Sequence, residues 1–211
     1  MLNDVVKLDE ARFTDFAKFV GLLNQYSDPA LLVSGTYDQQ ILNFSSGKYA
    51  FVTQGSWIGA TMVGDDADAY KEAGNFEVGM VPYAFEDGID TILTSSPSWW
   101  SVYKDGNVEA AEAFLQWLTT DEAQEVLVKE AGFVSPFKSC TIVGDDPFAQ
   151  TITDYQSAGK TSAWHWSIPG FKEGIAQNYT GQVFADYAAG SLDEEGFVKT
   201  MQQVLESAYA N

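Results

Sequence analysis

Apolar residues recur at helical spacing over most of this chain and at alternating spacing over three short stretches. Phe13, Phe16, Ala17, Val20 and Leu23 fall at i, i+3, i+4 and i+7, the signature of one buried helix face, with Asp9 placed to cap it and Ser27-Asp28-Pro29 to end it. A second helix is expected from about Tyr37 through Phe44, stopped by Gly47. Tyr49 to Thr53 then reads as a strand, and Gly55-Ser56-Trp57 ends it and opens another helix. Phe76 to Val81 is the next expected strand, closed by Pro82 and followed by a turn-rich stretch from Tyr83 to Pro97. Ser98 to Tyr103 reads as a third, buried strand.

Downstream, Asn107 caps a helix with the stripe Ala110, Ala111, Phe114, Leu115 and Leu118. Thr119 with Glu122 fits a capping box for a further helix that Gly132 closes. Asp146-Pro147 starts a helix to about Ser157, Lys172 to Ala189 forms another, and Ser191 with Glu194 opens a last one through Phe197, Met201, Val204 and Leu205. Few strands scattered among many helices predict a helix-rich α/β fold with a mixed sheet. Three strands are too few for a complete doubly wound sheet, which points to a missing portion.

Thirty acids against 11 bases give a formal charge of −19 across 211 residues. Binding to nucleic acid or to an anionic membrane would work against that field, so neither is an expected partner. No apolar run approaches the 18 residues of a membrane span, so direct membrane insertion is not expected. The start Met1-Leu2-Asn3-Asp4 carries no export-signal pattern. One cysteine, Cys140, and one histidine, His165, leave no internal disulfide and no Cys- or His-rich metal site. Asp65, Asp66 and Asp68 lack the alternation of a calcium loop and read as a solvated acidic loop. No cofactor, metal or catalytic set is expected.

The order of motifs resembles the carbohydrate-binding members of the family 1 extracellular solute-binding proteins, receptors of bacterial ABC importers related to maltose-binding protein. Phe44-Ser45-Ser46-Gly47-Lys48-Tyr49-Ala50-Phe51 through Gly55-Ser56-Trp57 resembles that family's F-x-x-G-K-x-A-M-x-x-x-G-S-W, with Phe51 where methionine is usual. Phe76 to Pro82, Asn107 to Leu118, Thr120 to Gln124 and Gly190 to Glu195 resemble further motifs in the family's order. The resemblance implies a periplasmic-binding-protein-like two-lobe fold, here incomplete, with most of the N-terminal lobe absent. Residues 1–82 and 137–211 would be two parts of the C-terminal lobe, and 83–136 crossing segments with part of the N-terminal lobe. It implies an extracellular or cell-envelope location, an oligosaccharide ligand held between hinged lobes, and ABC permease subunits as partners. A carbohydrate-active enzyme, or a truncated fragment without a ligand site, is the alternative.

Sugar recognition needs flat aromatic faces for pyranose C–H surfaces and polar groups for hydroxyls. Trp57 follows a Gly-Ser turn at a strand end and matches the family's stacking tryptophan; core packing is the competing role. Trp99 and Trp100 would point to opposite sides of a strand, leaving Trp99, beside Ser98, as the ligand candidate and Trp100 as core. Trp164, His165 and Trp166 form a loop cluster that offers indoles and an imidazole donor, against ordinary structural roles. Asp38, at a helix start, could meet a hydroxyl or serve the helix dipole.

Overall fold

A computed structural model describes residues 10–63, 67–94, 99–164 and 170–210. In chain order the elements are α1 (Glu10–Tyr26), α2 (Pro29–Ser34), α3 (Tyr37–Ser45), a 3₁₀ helix (Ser56–Met62) and α4 (Asp68–Glu72). They continue with β1 (Ile92–Thr94), α5 (Val108–Trp117), α6 (Asp121–Glu125) running into a π turn (Val126–Glu130), and α7 (Ala149–Ser157). β2 (Thr161–Ala163), a second π turn (Ala176–Thr180), α8 (Gly181–Ala188) and α9 (Glu194–Tyr209) complete the order.

The chain divides into two compact units, the first built from described residues of 1–37, 83–90 and 165–211 and the second from those of 38–82 and 91–164. The expected segments 1–82, 83–136 and 137–211 divide the chain at other points, because they refer to lobes of a family fold rather than to contacts within this chain.

In the first unit α1 packs on α8 and α9. Ala17, Val183, Phe197 and Met201 form the buried centre, edged by Phe13, Tyr187 and Leu192. Phe197 is fully buried and stacks between Phe13 and Tyr187, at ring-centroid distances of 5.9 and 4.6 Å. The Tyr187 hydroxyl donates to the Ala17 carbonyl at 3.2 Å and so ties α8 to α1. Phe85 docks edge-on to Phe16 at 5.4 Å, and Arg12 reaches Glu86 at 2.7 Å.

The second unit centres on Ile41, Phe44, Ile58, Met62, Tyr70, Ile92, Phe148 and Ile152. Its sheet is β1 beside β2, parallel, with Ile92 opposite Thr161 and Thr94 opposite Ala163. A parallel pair needs a long crossover, and the intervening chain with α5, α6 and α7 supplies it. The Thr91 and Ser162 hydroxyls meet at 2.6 Å along this pair.

Several expectations change. Tyr49–Thr53, Phe76–Val81 and residues 99–103 form no strand. The first two are extended segments without a ladder partner among the described residues, and Val52, Phe76, Val78 and Met80 pack their apolar sides directly on the core. Burial alternates along 75–80 as in a strand, which is why the pattern suggested one. The observed strands lie instead where turns and a loop were expected. Asp28, expected in a turn, caps α2 by accepting from Ala30 N at 2.9 Å. The caps of α6 and α9 are Thr120 and Asp193, in place of Thr119 and Ser191. The expected helix from Lys172 begins only at Ala176, and α7 begins at Ala149 after an Asp146-Pro147 turn. Asp9, Asp65, Asp66, Ser98, His165 and Trp166 lie outside the described residues.

Candidate functional site

Trp57 stands on a segment built to hold it. α3 ends at Gly47, whose φ of +73° is the left-handed turn glycine adopts without a Cβ penalty. Lys48 N and Tyr49 N both donate to Asn43 O, reversing the chain. The extended return then carries Gln54 back beside α3, where its Nε2 donates to Gln40 Oε1 at 2.6 Å. At Ser56 the chain enters the 3₁₀ helix, whose Ile58 is almost fully buried while Trp57 keeps 49% of its surface exposed.

The indole is fixed by two neighbours. Its Nε1 donates to Gln54 Oε1 at 3.1 Å. Its six-membered ring lies against Gly55: a Cβ there would sit 2.5 Å from Cε3 and closer still to Cζ3 and Cη2. Only a residue without a side chain leaves that space.

The 3₁₀ helix is gripped from its buried side by the turn before α7. A Cβ on Gly59 would fall 2.6 Å from Asp146 Oδ1 and 2.8 Å from its Cγ, so the carboxylate packs directly on the Gly59 backbone. Asp146 accepts from Phe148 N at 2.9 Å, the turn-closing bond of an Asx residue. Burial pushes its carboxyl above the ordinary range; N–H donation from Phe148 and Ala149 opposes that, and the adjacent Asp145 reinforces it. Asp145 is itself paired with Lys129 at 2.6 Å.

The other candidates occupy different surroundings. Asp38 is exposed in the first turn of α3, two residues before Gln40. Trp99 and Trp100 are 72% and 62% exposed, so Trp100 is not a core residue: without a strand there is no inward face for it to take. Trp100 instead meets Phe114 of α5 edge-on at 5.8 Å, and Phe114 stacks on Trp117 at 5.7 Å. The stripe of α5 is apolar as expected, yet α5 buries none of its residues. Trp164 is half-buried directly after β2, its backbone N–H donating to Thr94 O at 3.0 Å, so it belongs to the end of the strand pair rather than to an open loop. Gln40 and Gln54, which hold Trp57, were not singled out from sequence; Gln54 three residues before an expected platform tryptophan was the available signal.

A shallow open depression lined by Leu42, Ser46, Lys48, Ala69, Glu72 and Ala73 contains none of the expected site residues. Among the described residues no group of three His, Cys, Asp or Glu side chains could share a metal ion, and no helix is long and apolar enough to cross a membrane.

Trp57 thus presents a half-exposed indole whose position is set by Gly55 and Gln54. The family model described as bacterial extracellular solute-binding protein matches residues 4–125, more than half of the 211 residues. The chain belongs to that family, whose members bind solutes outside the cytoplasm. No curated protein and no solved structure matches it significantly.

Proposed function

We propose that this chain is the carbohydrate-binding component of a bacterial ABC importer and that the Trp57 indole is the stacking platform for one sugar ring of an oligosaccharide. The observation that carries this reading is the half-exposed indole, held in place by Gly55 and Gln54. A pyranose presents a C–H face that packs on an aromatic ring, and its hydroxyls need uncharged polar partners nearby. The charge of −19 favours a neutral ligand over an anionic one.

Trp99, Trp164, Trp166, His165, Asp38 and Ser98 are further ligand contacts in this proposal. So are the correspondence of the chain to the C-terminal half of the family fold, closure of the family's two lobes on ligand, and delivery to permease subunits.

The test is calorimetric titration of the wild-type chain and Trp57→Ala with neutral oligosaccharides. Loss of a stacking face of this kind costs about 1 to 3 kcal/mol, a roughly 5- to 150-fold weaker Kd. The thermal midpoint should move little, because half of the indole surface is already in water. Unchanged affinity in Trp57→Ala, or a loss of stability as large as the loss of binding, refutes the platform role.

A further inference from the structure

One hydrogen atom sets the direction of two amides beside the platform. An indole nitrogen can only donate, so the Gln54 atom 3.1 Å from Trp57 Nε1 is the carbonyl Oε1. That orientation turns the Gln54 amide nitrogen toward Gln40, and the atom receiving its bond at 2.6 Å is therefore Gln40 Oε1. The relay thus runs from Trp57 through Gln54 and ends on the Gln40 amide nitrogen. Gln54 Nε2 has spent one of its two hydrogens, and Gln40 Nε2 makes no bond to another described residue. What remains beside the exposed indole is a set of uncharged N–H donors on two half-buried side chains.

We propose that Gln40 and Gln54 are the polar half of the subsite whose apolar half is the Trp57 ring, donating N–H bonds to oxygen atoms of a neutral, hydroxyl-rich ligand. The proposal rests on the reading of Trp57 as a stacking platform and adds to it a chemical preference. A ligand that brings oxygen acceptors to the ring edge satisfies these donors. A purely apolar ring seated on the indole strips them of water without replacing the bonds, which is unfavourable. The relay also makes the recognition polar in one sense only, since reversing the Gln54 amide would break the bond to the indole and reversing the Gln40 amide would set two amide nitrogens against each other.

Gln40→Glu is the discriminating change. It keeps an oxygen to accept from Gln54, leaves the indole bond intact, and replaces the terminal donors by an acceptor. Gln54→Leu cuts the relay at its centre. Indole N–H resonances of the ligand-free chain, with Trp57 assigned through Trp57→Phe, report the platform; calorimetry with α- and β-linked glucose trisaccharides and xylotriose reports binding. The expected result is an unmoved Trp57 resonance in Gln40→Glu with trisaccharide affinity reduced about 5- to 50-fold, and a displaced resonance with reduced affinity in Gln54→Leu. Affinity within twofold of wild type in Gln40→Glu, where Trp57→Ala weakens binding about 5-fold or more, overturns the polar subsite and leaves the platform standing. Failure of the wild-type chain to bind any of these sugars, or indifference of binding to Trp57→Ala, overturns both. A Trp57 resonance displaced by Gln40→Glu overturns the relay.

Discussion

Replacing Gly55 by alanine separates the position of the platform from the stability of the fold. The backbone at Gly55, with φ −99° and ψ 175°, is extended, so alanine fits it without strain. The nearest obstruction is the ring of Trp57, 2.5 Å from the new Cβ at Cε3 and nearer at two further carbons. Carbon atoms prefer about 3.5 to 4.0 Å, so the ring must retreat by at least about 1 Å. A shift of that size breaks the 3.1 Å bond to Gln54. For a half-exposed group the lost bond is worth about 0.5 to 1 kcal/mol, and alanine returns about 0.4 to 1 kcal/mol by restricting the unfolded chain. The two nearly cancel, so urea unfolding should place Gly55→Ala within about 1 kcal/mol of wild type. The Trp57 indole N–H resonance, one of six in the spectrum, should move while the other five hold. Oligosaccharide affinity should fall with it. An unmoved Trp57 resonance refutes the packing of the ring on Gly55, and a destabilisation above about 2 kcal/mol refutes the argument that the ring is a surface group.

Three other substitutions probe the frame. Gly59→Ala drives a methyl into the Asp146 carboxylate on the buried side of the 3₁₀ helix and should cost about 1 to 3 kcal/mol in urea unfolding; a neutral result would mean that the two segments are not in contact. Phe197→Ala removes a fully buried ring stacked on two others and should cost about 3 to 5 kcal/mol, with loss of cooperative folding as the stronger form of the same outcome. Asp146 supplies a test in pH: its carboxyl is raised in the folded state by burial, so the folded chain holds the proton more tightly than the unfolded one. Stability from this group therefore falls as pH rises from the unfolded value of 3.8 through the folded value. Asp146→Asn keeps the acceptor for Phe148 and should be at least as stable as wild type at pH 7, with the advantage shrinking toward pH 4; an advantage that grows on acidification contradicts the sign.

Helices were legible because their signals are local. The α3 stop at Gly47, the Asn107 cap of α5 and the Phe197-Met201 stripe of α9 each depend on residues within one or two turns. Where two capping residues compete a position or two apart, as at Thr119 and Thr120 or Ser191 and Asp193, local pattern fixes the region of the helix start but not the residue. Strands failed for the opposite reason. Alternation along Phe76 to Val81 records which sides are buried, whereas a ladder requires a partner that no local pattern names. β1 and β2 are three residues each, separated by more than sixty, and too short to show a period. Trp100 and the stripe of α5 illustrate a further limit: an apolar face is buried only as far as another element covers it, and no residue of α5 itself is buried although Leu118 just beyond it is.

Trp57 could be singled out from the sequence as a candidate, but what fixes its indole could not, because Gln40 and Gly55 act by proximity rather than by motif. That fixing bears on affinity even where no ligand atom is touched. Ordering a free side chain at a binding surface costs about 0.5 to 1.5 kcal/mol, and here the relay and the Gly55 contact have settled that cost before ligand arrives. Both act through one indole, so their removal should not add. Gly55→Ala and Gln54→Leu each release the ring, and Gln54→Leu also removes a donor to the ligand, so the double variant should bind oligosaccharide about as weakly as Gln54→Leu alone. A double-mutant cycle measures the shortfall directly. Additive losses would mean that Gln54 does not hold the ring and affects binding only through its own contact with ligand.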